Sequence, residues 1–299
     1  MTPLRFAAPG FAAAASRVAD FLQARLGFDL WMVTRAEGDD WIVLQTADRG
    51  YQVSPGAVFR WSDSFCSRMV RDLGPRVAAD ASTIPAYAAA PIARLVPIGS
   101  YVGVPIARPD GRLFGTLCGI HPTAKPPGLE AELPLVELFA DLLGDLLAAE
   151  FRAAEADRRA ERLAADAVRD ETTGAYSRAA WDDLLAAEER RCRAFGHPAF
   201  VAAVAVRAAD PRTFRDIAQL ITHLSRPTDP VAAVGPGELA VLGVEGGRDE
   251  AARFERKLWA VLRAFDTPAS AAVELLHPGG TLAAAWAAAR GQAVGLIAG

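Results

Sequence analysis

The sequence predicts an α/β (α+β) protein of two domains, each a central, mainly antiparallel sheet flanked by helices, with a long helix joining them. Three observations lead there. β-Branched and aromatic runs separated by tight turns occur in two zones, one before residue 121 and one after residue 199. Between the zones, 133–168 holds its leucines and alanines at a three-four spacing, the period of a helix. At 299 residues the chain is long enough for two domains that each bury a core.

In the first zone, Phe11, Ala15, Val18, Phe21, Leu22 and Leu26 follow the helical period, and Gly27 is a suitable stop. Trp31-Met32-Val33-Thr34 and Trp41-Ile42-Val43-Leu44-Gln45 are β-rich runs joined by Glu37-Gly38-Asp39-Asp40, which predicts a hairpin. A helix is expected over 61–73, with Ser62 or Asp63 as its cap. The Pro- and Ala-rich stretch 74–97 lacks periodicity and is expected to be irregular and ligand-covering. A second hairpin follows, from Tyr101-Val102-Gly103-Val104-Pro105-Ile106 through Asp110-Gly111 to Leu113-Phe114-Gly115-Thr116-Leu117-Cys118-Gly119-Ile120. Gly103, Gly115 and Gly119 would leave room on that sheet for a helix or a ligand.

The helical stretch offers Leu135, Leu138, Leu142, Leu146, Ala149 and Ala153 for a helix-helix seam, with Pro134 in the tolerated first turn. Two readings stay open for it: a dimerising signalling helix, or a terminal helix packed on its own sheet. Charged residues over 150–162 read as a solvated face. In the second zone come a helix over 181–195, the turn Gly196-His197-Pro198, a buried strand over 200–206, and the apolar runs Val231-Ala232-Ala233-Val234 and Leu239-Ala240-Val241-Leu242-Gly243-Val244 around a turn. A last helix is expected over 282–290.

Composition narrows the function classes. With 52% hydrophobic and 23% charged residues the chain is folded material, and a net charge of −4 lacks the basic footprint of a nucleic-acid binder. Cys66, Cys118 and Cys192 are odd in number and far apart, which disfavours both a disulfide framework and a zinc site. The four histidines are equally scattered, so no metal site is expected. Residues 1–10 do not read as a cleavable leader, and no apolar run reaches the ~18 residues of a membrane span. A cytoplasmic protein without a membrane or nucleic-acid partner is expected.

Residues 11–150 resemble a GAF domain, a small sensory module, through Asp63-Ser64-Phe65-Cys66, Gly74-Pro75, Asp80, Tyr101-Val102-Gly103-Val104-Pro105 and 111–118. The resemblance implies a first domain over 1–150 and a sensor whose signal it leaves unnamed. Trp31, Cys66, Tyr87, Tyr101 and Cys118 are the candidates to line its pocket. Cys66, near a helix start, is a candidate low-pKa thiol, or simply a small buried apolar residue.

After a connecting helix over 134–169, the segment 170–299 resembles a shortened, degenerate GGDEF domain. Its opening, Asp170-Glu171-Thr172-Thr173-Gly174-Ala175-Tyr176-Ser177-Arg178, is similar to the family form Asp-x-Leu-Thr-Gly-Leu-x-Asn-Arg, keeping Asp170, Thr173, Gly174 and Arg178. The signature falls on Gly235-Pro236-Gly237-Glu238-Leu239. Active members hold two Mg²⁺ ions at the phosphates of GTP, and a hard dication needs carboxylate oxygens. The resemblance puts Ala205 and Gly237 where two such acids belong, Arg207 at another acidic place, and Pro236 where a glycine approaches the nucleotide. Glu238 alone remains, and a turn carboxylate bonded to local amides is its expected role. The short segment 207–235 is expected to remove part of the guanine pocket.

Arg226-Pro227-Thr228-Asp229 occupies the place of the family's product-inhibition site. A guanidinium fork donates to guanine O6 and N7, and a carboxylate accepts from N1–H and N2–H. Arg253, Arg256 and Lys257 are candidates for a further basic contact. The implied function is a catalytically inactive bacterial signalling protein, a receptor for cyclic di-GMP without a certain cofactor, homodimeric through the connecting helix. The alternative is a GAF-based small-molecule, haem or redox sensor whose second domain is structural or binds a protein. A methionine sulfoxide reductase would need cysteines in 80–98, and that segment has none.

Overall fold

The computed structural model describes residues 10–207, 210–277 and 279–298. The segment 1–9, read above for a leader, lies outside the described residues. The chain divides into two compact units, Met1–Ala153 and Ala154–Gly299.

In the first unit, α1 (Phe11–Leu26) ends at Gly27, whose left-handed φ of 63° lets its N–H reach the Gln23 carbonyl. β1 (Leu30–Glu37) and β2 (Asp40–Asp48) form the expected hairpin, and β3 (Val58–Arg60) extends it. The helix expected over 61–73 is broken. Trp61–Asp63 is a single 3₁₀ turn, and α2 (Phe65–Val70) starts afresh because Ser64 caps it by accepting from the Ser67 N–H. Ser62 is drawn elsewhere, its N–H donating to the Asp39 carboxylate at 2.9 Å.

The stretch expected to be irregular holds β4 (Val77–Ala78), the short α3 (Pro85–Ala88) and two 3₁₀ turns. β5 (Ser100–Ala107) and β6 (Leu113–His121) complete an antiparallel sheet of order β3-β2-β1-β6-β5-β4. Its glycines do not open space for a ligand. A Cβ at Gly103 would strike the Tyr101 ring, at Gly115 the Thr34 carbonyl, and at Gly119 the Trp31 ring. Each position is taken by the unit's own packing.

The long helix α4 (Leu133–Asp166) crosses the division between the units. Within the first unit, Val136, Ala140, Leu143 and Leu147 are its buried face, and Phe151 meets Phe114 of β6, which in turn meets Phe11 of α1. That face answers to the terminal-helix reading. The seam residues Leu138 and Leu142 remain more than half exposed, and so in large part does Phe21 of α1, whose ring meets Phe139 at 5.5 Å.

The second unit opens with α5 (Arg178–Phe195), which begins three residues earlier than expected because Ser177 caps it through the Ala180 N–H. β7 (Phe200–Val206) follows, then α6 (Pro211–Leu224), β8 (Val231–Gly235), β9 (Glu238–Gly243), α7 (Arg248–Leu262), β10 (Ala269–Leu275) and α8 (Leu282–Ala298), more than two turns longer than the expected 282–290. The antiparallel sheet runs β10-β7-β9-β8. Phe200, Ala202, Val204 and Val206 face a cluster with α6 and α7, whereas Val201, Ala203 and Ala205 face Trp181 of α5 and Leu282 and Trp286 of α8. β7, central and buried on both faces, is the floor on which the signature turn rests.

Candidate functional site

Asp170 organises the opening turn of the second unit. Its Oδ1 accepts from the Thr173 N–H at 2.8 Å and the Thr173 hydroxyl at 2.7 Å, and Gly174 supplies a φ of 74°. Tyr176 then bridges to Ala232 of β8, which fastens the turn to the sheet. Beside it lies a groove of about 630 Å³, lined by Asp170, Arg178, Val206, Phe214 and the turn Gly235-Pro236-Gly237.

The signature turn is a two-residue hairpin loop between Gly235 and Glu238. Gly237 has a φ of 70°, and a Cβ there would collide with the Val206 carbonyl. The backbone therefore excludes a carboxylate at the position. Ala205, taken above as the site of a missing metal ligand, packs with the α5/α8 cluster, and Val206 is the residue of that strand end that lines the groove. Strand alternation is the reason, and neither side chain carries a charge. Glu238 is not bonded to turn amides as expected. Its two oxygens accept from Arg290 of α8 at 2.6 and 3.1 Å, a bidentate ion pair. Among the described residues lining the groove, Asp170 is the single acid, and no group of three or more His, Cys, Asp or Glu among the described residues is placed to hold a metal ion.

Arg226 and Asp229 are brought together. The Arg226 Nε–H and Nη2–H donate to Asp229 Oδ2 and Oδ1 at 2.9 and 3.0 Å, a bidentate fork across three residues. Val244, just past β9, completes the set: its N–H donates to Asp229 Oδ1 at 3.1 Å and its carbonyl accepts from Arg226 Nη2 at 2.6 Å. The Asp229 side chain is 3% exposed and that of Arg226 45%. Arg256 and Lys257 are exposed on α7, as is Arg253, which pairs with Glu250. They are outside the set bonded around Val244.

Of the GAF candidates, Cys66, Tyr87, Tyr101 and Cys118 share one buried cluster. Trp31 does not join them: it falls between Leu30 and Met32, which face the cluster, and packs on Phe28 at 5.6 Å and against Gly119. Phe65, missed as a candidate although it adjoins Cys66, stacks on Tyr87 at 4.6 Å, and Tyr87 meets Tyr101 at 5.2 Å. Phe65 also meets Tyr101, at 5.6 Å, so the three rings contact one another. The Tyr101 hydroxyl donates to Cys66 Sγ at 3.4 Å, and the Thr116 hydroxyl to Cys118 Sγ at 3.8 Å. Burial opposes ionisation of Cys66, but hydrogen bonds from Cys118, Thr116 and Tyr101 hold its thiol below the ordinary value, while burial pushes the Tyr101 phenol up.

Residues 11–147 match the family model of the GAF domain. No curated protein matches the chain. Among solved structures, the coiled coil and GGDEF domain of DgcB from Caulobacter crescentus, in complex with c-di-GMP, is 15% identical over 50% of this chain and 90% of its own, with a TM-score of 0.39. Diguanylate cyclase SiaD from Pseudomonas aeruginosa, in complex with its activator SiaC, is 19% identical over 56% of this chain and 74% of its own, with a TM-score of 0.42. The GAF domain of the Acinetobacter phosphoenolpyruvate-protein phosphotransferase is 12% identical over 49% of this chain and 87% of its own, with a TM-score of 0.40. The matched GAF segment is followed by a second unit with a four-stranded antiparallel sheet, in which the turn at Asp170 and the hairpin 231–243 border the groove. Among the described residues no helix is long and apolar enough to cross a membrane.

Proposed function

We propose that the protein is a catalytically silent bacterial signalling protein, cytoplasmic, that binds cyclic di-GMP at Arg226 and Asp229 and couples this site to its GAF domain. The bidentate pairing of Arg226 with Asp229 at the entry to β8 carries the reading. It puts a planar donor fork and a carboxylate at one place, the two groups a guanine edge requires. Arg256 and Lys257 supply positive charge for the phosphates of the ligand. GTP turnover is not part of this function, because the groove lacks the carboxylates that two Mg²⁺ ions need and Glu238 is neutralised by Arg290.

A second copy of the chain is the proposed dimer partner, through the exposed Phe21, Leu138 and Leu142. Calorimetric titration with cyclic di-GMP tests the receptor reading. Wild type should bind, Arg226→Ala should bind at least about tenfold more weakly, a loss of ~1.4 kcal/mol, and no heat from the wild type overturns the proposal.

The second reading, a redox sensor, is favoured by the thiol cluster at Cys66. Loss of titratable thiol at Cys66 and Cys118 on mild peroxide treatment would support it, and unchanged thiols would remove it.

A further inference from the structure

Val244 is held from two sides. On one, its N–H and carbonyl are taken by Asp229 and Arg226. On the other, the next residue, Glu245, has a φ of 51°, a left-handed conformation that costs a non-glycine residue on the order of 1 kcal/mol or more. Its Oε1 accepts from Arg158 Nη1 at 3.0 Å. Arg158 belongs to the last turns of α4, on the second unit's side of the division.

The anchor behind Glu245 is firm. Arg158 forks onto Glu188 of α5 at 3.0 and 2.8 Å, with Arg158 7% and Glu188 2% exposed. Arg191 ties Glu188 back to Glu161 of α4, at 3.3 and 2.6 Å. Burial opposes a charge on Arg158, and the carboxylates of Glu188 and Glu245 more than offset it.

The donor count on Arg226 joins the two sides. Both hydrogens of Nη2 are engaged, one by Asp229 and one by the Val244 carbonyl, and Nε–H is engaged by Asp229. A purine edge takes two parallel donors. A side-on approach displaces Asp229, and an end-on approach through Nη1 and Nη2 displaces the Val244 carbonyl. Either way a ligand must break a tie that holds Val244, and how firmly Val244 is held depends on Glu245 and Arg158.

We infer that Arg158, acting through Glu245 and Val244, is a positioning residue for the Arg226–Asp229 site, so that capture of a guanine edge and anchoring of residues 154–166 of α4 are linked. The inference rests on the receptor reading for its ligand. Linkage is reciprocal: loosening the anchor should strengthen binding, and binding should loosen the anchor.

The test uses the full chain and two measurements. Cyclic di-GMP affinity is compared for wild type, Glu245→Gln and Glu245→Gly. The first variant weakens the tie to Arg158, and the second removes it while suiting the left-handed backbone. Both should bind about fivefold more tightly, whereas mere damage to the site would weaken binding. Unchanged or weaker binding by both overturns the inference.

Amide hydrogen exchange over 154–166 is compared for wild type with and without cyclic di-GMP, and for Arg226→Ala without it. Exchange should rise severalfold with ligand and in the variant. An unchanged rate in Arg226→Ala overturns the linkage whether or not the wild type binds, and absence of wild-type binding overturns the receptor reading alone.

Discussion

At Gly237 the left-handed backbone and the Val206 carbonyl together leave no place for a side chain. Gly237→Ala should therefore cost about 1–3 kcal/mol in urea unfolding, and Gly237→Asp should restore no cyclase activity with GTP and Mg²⁺. Cyclic di-GMP formed by Gly237→Asp would contradict this account of the turn. Asp39 gives a second residue-level test. The Arg60 guanidinium, then the Ser62 amide, hold its carboxyl down to about 2. A lowered folded-state pKa contributes stability that is present above the ordinary value near 4 and lost as pH falls through about 2. Asp39→Asn should flatten the fall in stability across that acid window, and an unchanged acid profile would contradict it. The three-residue spacing of Arg226 and Asp229 was legible in the sequence. The tie to Val244 was not, because it exists only once the hairpin returns β9 beside the entry of β8. The choice between Ala205 and Val206 was also hidden: a strand buried on both faces has no polar alternation to set its parity.

Elements were legible where local chemistry and packing agree. The hairpins at 37–40 and 109–111 carry their own turn residues, and β7 is a continuous apolar run. The helix over 61–73 failed because the Ser64 hydroxyl accepts from the Ser67 N–H as a local cap, while Asp39, in the turn of the neighbouring hairpin, claims the Ser62 N–H. α6 had a readable signal that went unused: Asp210 caps it ahead of Pro211, and Phe214, Ile217, Ala218 and Ile221 line its buried face. β10, rich in alanine, has a weak strand signal of its own and is defined by pairing with β7. Between elements, the pair Arg158–Glu188 fixes the end of α4 on α5. Glu188→Gln removes the buried anion of Arg158 and leaves it only the partly exposed carboxylates of Glu245 and Glu155, and should cost about 3 kcal/mol in urea unfolding. A loss below about 0.5 kcal/mol, the range of an exposed pair, would contradict the buried anchor.

For the molecule as a whole, two antiparallel sheets and a long helix between them were readable from two zones of short β runs and one sustained helical period. What the helix seam does was not readable, since the same leucine spacing serves packing on a sheet and packing on a partner. The structure separates a buried face from an exposed one. Val136, Ala140, Leu143 and Leu147 are buried, and Leu138 and Leu142 are left exposed on either side of Phe139, which meets Phe21. Sedimentation equilibrium should find the wild type dimeric and Leu138→Glu/Leu142→Glu monomeric, and a monomeric wild type would contradict the proposed contact. The proposed function requires a chain that reads a guanine dinucleotide and does not make one. Equilibrium dialysis of the full chain against labelled cyclic di-GMP, with Mg²⁺ and excess GTP present, tests it most directly. Saturable binding that unlabelled cyclic di-GMP displaces and GTP does not, lost in Arg226→Ala, is the expected result. Label that stays free, or binding that GTP abolishes, would contradict it.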